Sequence, residues 1–179
     1  MPVVLFSGGE PTLRPDLPEL ISYANGLGGL NPLISTNGTL LTKEKVKELS
    51  NAGLKRAGIS MDGMEAVHDK FRGSIGSWKL TLDGIRNSLE AGMRVSLRVT
   101  VTNRNVQELP ALFDLAEREG IPRVCVYHLA YAGRGEKLLR FDLKHEERRK
   151  MVEYVFERTI ESYAKGNKLE VLTVDNHTD

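Results

Sequence analysis

Short apolar runs rich in β-branched residues alternate along this chain with amphipathic helical segments, and that alternation limits the fold more than any other feature. The pattern predicts strands over Val3–Ser7, Leu33–Thr36, Arg56–Met61, Arg94–Val101, Arg123–Leu129 and Glu170–Thr173. It predicts helices over Leu17–Gly26, Lys43–Ala52, Trp78–Ala91, Val106–Glu119 and His145–Lys165. Thr42 suits an N-cap and Gly53 a stop; Pro110 falls in a first helical turn. The buried sides are expected to carry Leu80, Ile85 and Leu89 in one helix and Met151, Val155 and Ile160 in the longest. Such βαβα order specifies an α/β fold with a parallel sheet, either open and doubly wound or curled into a barrel.

Polar and glycine-rich residues gather where the strands end. The ends read "SGGEPT", "STNGT", "SMDGM", "VTNRN", "YHLAYAGRG" and "TVDNHTD". In a parallel barrel and in a doubly wound sheet alike, the carboxyl ends of the strands form the ligand edge. In the first of them, "FSGGEPTLRPDL", Gly8 and Gly9 let the backbone turn sharply and approach a ligand, while Pro11 biases Glu10 towards an extended conformation. The bland account of the same residues is a strand-to-helix turn.

Other polar residues have bland accounts too. Asn37-Gly38 and Asp62-Gly63 are turn signals. His68 and Asp69, in "AVHDKFRG", suit a solvated charged surface, and His128 suits a hydrogen-bonded core histidine. His177 and Asp179 lie at the extreme C-terminus, where fraying is the expectation, so no metal is assigned to histidine. "AGRGE" offers Arg134 to an anion, but neither it nor "GGEPTLRP" has the spacing of a dinucleotide or phosphate loop.

Composition excludes several classes. A net charge of +1 implies no strong electrostatic partner such as nucleic acid. No apolar stretch nears the roughly 20 residues of a membrane span, and no signal-peptide layout opens the chain, so a cytoplasmic protein is expected. The single cysteine, Cys125, can form no internal disulfide and cannot alone hold an iron-sulfur cluster.

The motifs "FSGGEPTLRPDL", "STNGTLL", "GISMDGMEAVHDKFRG", "GSWKLTLDGIRNSLEAG" and "LRVTVTNRNVQEL", in this order, resemble the radical S-adenosylmethionine enzymes, especially those with a SPASM-type extension. The resemblance implies a partial (β/α) TIM-like barrel over residues 1–179, with S-adenosylmethionine across the carboxyl ends of its strands. It assigns Gly8, Gly9 and Glu10 to the methionine ammonium. Thr36 and Asn37 fall at the next strand end, Ser60 at the ribose or carboxylate, and Arg72 at the carboxylate, which a guanidinium can grip bidentately. Arg98 and Asn103 are weaker candidates near ribose and adenine. "VYHLAYAGRGE" and "LTVDNHTD" look like the branch that modifies tetrapyrroles in haem d1 or alternative haem formation, which would put His128, Tyr131 and Arg134 beside the substrate.

One departure carries weight. The family binds a four-iron four-sulfur cluster through a CxxxCxxC loop ahead of GGEP, and these residues include no such loop. The first βα unit is expected to be missing with it. The chain is therefore expected to be a fragment whose full-length parent holds the cluster and cleaves S-adenosylmethionine, and to be inactive by itself. The alternatives are a fragment of a peptide-modifying enzyme, or a non-catalytic module that binds S-adenosylmethionine or pairs with a completing chain. Self-association through the sheet edge left open is expected in either case.

Overall fold

The computed structural model describes residues 2–131 and 139–174. Its core is one parallel sheet of strands β1 (Val3–Phe6), β2 (Asn31–Thr36), β3 (Arg56–Ser60), β4 (Arg94–Thr100), β5 (Arg123–Tyr127) and β6 (Glu170–Val174). Each strand pairs with the one before it, in the order β1-β2-β3-β4-β5-β6. A doubly wound sheet reverses direction once. This one never does, so with crossovers of one hand the helices all fall on one side, as in an arc of a barrel.

The helices are α1 (Leu17–Gly26), α2 (Lys43–Asn51), α3 (Glu65–Arg72), α4 (Ser77–Glu90), α5 (Leu109–Arg118) and α6 (His145–Ala164). Single 3-10 turns stand at Pro11–Leu13 and Val106–Glu108. As expected, Thr42 caps α2 by accepting the Lys45 amide at 3.2 Å, and Pro110 occupies the first turn of α5.

Strand alternation sorts the side chains. In β4, Val95, Leu97 and Val99 are fully buried beneath the helices, whereas Ser96, Arg98 and Thr100 take the opposite, concave face. Burying each such side chain contributes roughly 1.5–3 kcal/mol. Ile34, Ile59 and Val124 extend this layer across neighbouring strands, and Ile21, Leu49, Ile85 and Phe113 meet it from the helices. Phe113 closes edge-on against Tyr154, with ring centroids 6.0 Å apart.

Some expectations are corrected. Strand β2 begins at Asn31 and contains Pro32, which is tolerated because the β3 ladder starts only at Leu33. Leu80 and Ile160 face solvent, being 53% and 69% exposed. The buried positions of α4 are instead small: Thr81, Gly84 and Ser88 beside Leu82 and Ile85. The reason is close packing, since a Cβ on Gly84 would meet the Gly38 carbonyl oxygen at 2.2 Å. In α6 the inward residues after Val155 are Arg158 and Ser162, and Arg158 pairs with Asp114 and Glu117 at 2.7 and 2.8 Å.

Candidate functional site

The carboxyl ends of the strands enclose a cleft of about 840 Å³. Gly8 and Gly9 after β1, Thr36 at the end of β2 and Asn37 after it, Ser60 at the end of β3, Arg72 of α3 and His128 after β5 all border it. The structure thus brings together residues that the sequence scatters over most of its length. Gly8 has a φ of 139°, and a Cβ at either glycine would touch nothing within 4 Å, so this wall is open backbone.

Glu10 has a different placement: it does not border the cleft, and its carboxylate ties two strand ends together. Oε1 accepts the Thr12 amide at 3.1 Å and the Thr36 hydroxyl at 2.6 Å, while Oε2 accepts the Asn37 amide at 2.8 Å. The Thr36 hydroxyl in turn accepts the Gly38 amide at 3.0 Å, and Asn37 Oδ1 accepts the Thr39 amide at 2.9 Å. These bonds hold both loops against the cleft.

The segment "MDGMEAVHDKFRG" is the larger surprise, because it forms helix α3 with His68 buried and Asp69 half-buried. His68 is 1% exposed, and its Nδ1 accepts the Asp62 amide at 3.1 Å. Burial, aided by the neighbouring Arg72, pushes its pKa down to about 4. Asp69 accepts the Trp78 amide and the Ser77 hydroxyl at 2.8 and 2.9 Å, together with the Gly76 amide, which fastens the start of α4. A solvated charged face is therefore the wrong description of both residues. Asp62 and Arg72 complete the arrangement with a 2.6 Å ion pair that borders the cleft. Burial pushes the Asp62 carboxyl up, against the opposing pull of Arg72 and of the Thr100 amide.

Asn105, wholly buried, is a further organiser that the sequence reading missed. Its Nδ2 donates to the carbonyls of Asp62 and Thr100, both at 2.9 Å, and its Oδ1 accepts the Thr102 amide at 2.7 Å. The ends of β3 and β4 are held together through it. Nothing in "TNRN" marks this asparagine from its neighbour.

The remaining candidates separate. Arg98 lies on the concave face across Gly58, donates to Ser35 Oγ at 2.8 Å and stands 5.9 Å from the centre of the Tyr127 ring. Asn103 is not among the cleft residues; its amide donates to the Phe141 carbonyl at 2.8 Å. Tyr131 is directed to Asp142, and Arg148 meets the same carboxylate at 2.9 Å. Arg134, His177 and Asp179 lie outside the described residues. Cys125 is buried in β5, with its thiol pushed up by burial, so these residues do not supply the thiolate set of an iron-sulfur cluster. Among the described residues no helix is long and apolar enough to cross a membrane.

Comparison with known proteins agrees with this geometry. Residues 1–116 match the family model described as the Radical SAM superfamily. A Fe-coproporphyrin III synthase of Methanosarcina barkeri is 52% identical over 99% of this chain, and a pre-heme d1 synthase of Dinoroseobacter shibae 38% identical over all of it. The chain spans 44% of the length of each. The crystal structure of Streptococcus suis SuiB bound to S-adenosylmethionine superposes with a TM-score of 0.79 at 20% identity, over 98% of this chain and 40% of that one.

Proposed function

Since the chain belongs to the Radical SAM superfamily, we propose that its cleft holds S-adenosylmethionine and that it forms part of an enzyme acting on a carboxylate-rich tetrapyrrole. The observation that carries the cofactor half is the Asp62–Arg72 pair facing open glycine backbone across one cleft. The 52% identity to a Fe-coproporphyrin III synthase supports the substrate half.

The residues fit the cofactor. Exposed backbone at Gly8 and Gly9, with the Glu10 carboxylate behind it, suits an ammonium group. Arg72, fixed by Asp62 on one side, offers its remaining N–H groups to a carboxylate. Ser60, Thr36 and Asn37 supply hydroxyl and amide groups between them for the ribose, with Arg98 beneath them. His128 borders the cleft and Tyr131 follows it closely in the chain, which suits a place beside the substrate. When bound and reduced, S-adenosylmethionine supplies a hydrogen-abstracting group; the part played by this chain is to bind, orient and shield it.

The thiolates that would hold the cluster are not among these residues, so turnover is assigned to a longer or completed protein and none to this chain. Strands β1 and β6 each have one neighbour among the described strands, and self-association along such an edge is part of the proposal. The test is calorimetric titration of the chain with S-adenosylmethionine. One saturable site is expected, and its absence would overturn the cofactor half.

A further inference from the structure

A second pocket, of about 530 Å³, opens beside the cleft between α3 and the loop that follows β4. Phe71 borders both, so ligands in the two would be neighbours. Its apolar wall is made by Val67, Phe71 and Phe141, and its rim carries Lys70 and Arg104. The bond from the Asn103 amide to the Phe141 carbonyl ties Phe141 to the loop after β4. Arg104 Cζ lies 3.2 Å from the centre of the Phe141 ring, and Arg140 Cζ lies 4.7 Å from it. Stacking on the ring restrains the guanidinium plane and leaves N–H groups at its edge for an acceptor.

The charges here are unbalanced. Arg72, Arg86, Arg123 and Arg158 each meet a carboxylate. Among the described residues Lys70, Arg104 and Arg140 form no such ion pair; the two arginines lie over the Phe141 ring and Lys70 lines the pocket that Phe141 closes. Two cations in an apolar-walled pocket, with a third beside Phe141, suit a flat, apolar molecule with several carboxylates better than they suit a neutral ligand or a peptide. The volume lies within the usual range for small-molecule sites.

We infer that this pocket seats the carboxylate rim of the tetrapyrrole, with Lys70 and Arg104 as its anchors, Arg140 adding positive charge beside Phe141, and Phe71 and Phe141 against the ring edge. The inference rests on the tetrapyrrole reading above and adds the place and the residues. A molecule held here reaches past Phe71 into the cleft, which puts its periphery beside the proposed cofactor.

The test is titration of the chain with the iron(III) complex of coproporphyrin III, followed by its visible absorption, in wild type, Lys70→Gln/Arg104→Gln and Lys70→Arg. Both side chains are exposed, so equal melting temperatures are expected and check the fold. The double variant should bind the porphyrin about tenfold more weakly, Lys70→Arg nearly as well as wild type, and S-adenosylmethionine affinity should not change. Equal porphyrin affinity in wild type and double variant overturns this pocket and leaves the tetrapyrrole reading standing. No saturable binding to wild type overturns both. A loss confined to S-adenosylmethionine assigns the pocket to the cofactor and also overturns the inference.

Discussion

Nη2 of Arg72 lies 2.6 Å from Oδ2 of Asp62, and the two ends of this pair stand in different surroundings: the Asp62 side chain is 2% exposed and that of Arg72 33%. The aspartate is therefore the fixed half and the arginine the half that can meet a ligand. The pair also joins the end of β3 to the end of α3, so the proposed binding group and a structural tie are the same contact.

Arg72→Ala should weaken S-adenosylmethionine binding by about tenfold or more, because it removes the proposed carboxylate partner. It also leaves Asp62 buried and unpaired, so stability should fall by about 3 kcal/mol. Asp62→Asn/Arg72→Ala should regain most of that stability and none of the affinity. Calorimetry and urea denaturation of both variants separate the two effects; equal affinity in wild type and Arg72→Ala would remove Arg72 from the site.

Gly58 and Arg98 are coupled through space. A Cβ at Gly58 would lie 2.3 Å from Arg98 Nε, but the obstructing atoms belong to the end of a flexible side chain. Gly58→Ala should thus cost about 1 kcal/mol or less while moving the guanidinium off Ser35. If Arg98 helps to hold the cofactor, Gly58→Ala and Arg98→Ala should lower affinity alike, which titration of both would show.

Gly84 is the opposite case. The atom in the way is the Gly38 carbonyl oxygen, with Leu41 Cβ at 3.1 Å, and neither can swing aside. Gly84→Ala raises intrinsic helix propensity, yet overpacking should win and destabilise the chain by about 2–3 kcal/mol. Since Gly38 belongs to the loop that carries Asn37, the affinity for S-adenosylmethionine should drop with it. A variant as stable as wild type in thermal melts would contradict the close packing of α4 on that loop.

The strands and the edge on which polar residues gather were legible because a parallel sheet writes continuous apolar runs that stop where its polar loops begin. What the sequence hid was polar burial. Helix α3 escapes periodicity because its one buried residue is His68, and Asp69 beside it reads as solvent-facing. The same blindness exchanged Leu80 for Thr81 and Ile160 for Arg158: close helix packing favours small residues, and a paired arginine can be buried, but hydrophobicity records neither. Glu10 reads from sequence as a ligand carboxylate, and its place as a latch is not visible there, since its partners Thr36 and Asn37 are distant in sequence.

Reconstitution with iron and sulfide under anaerobic conditions should leave this chain without stoichiometric cluster. One buried cysteine with a raised thiol pKa cannot provide three thiolates. Iron analysis and visible absorption check this, and a full complement of iron per chain would contradict it.

His68 predicts an acid-sensitive fold. Its ordinary pKa is 6.5, and in the folded chain burial and Arg72 hold it at about 4 against the smaller opposing pull of Asp69. Between those values the unfolded chain binds a proton that the folded chain refuses. Stability is therefore fully present above pH 6.5, declines as pH falls, and is lost by about pH 4; the contribution at stake is about 3 kcal/mol. Asp62 acts in the other sense, because its raised carboxyl pKa lets the folded chain take up a proton more readily than the unfolded one, which offsets part of the loss at the acid end. His68→Asn separates them, since its side-chain oxygen can still accept the Asp62 amide but cannot titrate. Melting temperatures measured from pH 7 to about pH 4.5 should fall more steeply in wild type than in the variant. Parallel curves would mean that His68 takes up its proton without opening the fold, and that the tie between α3 and the end of β3 does not depend on a neutral imidazole.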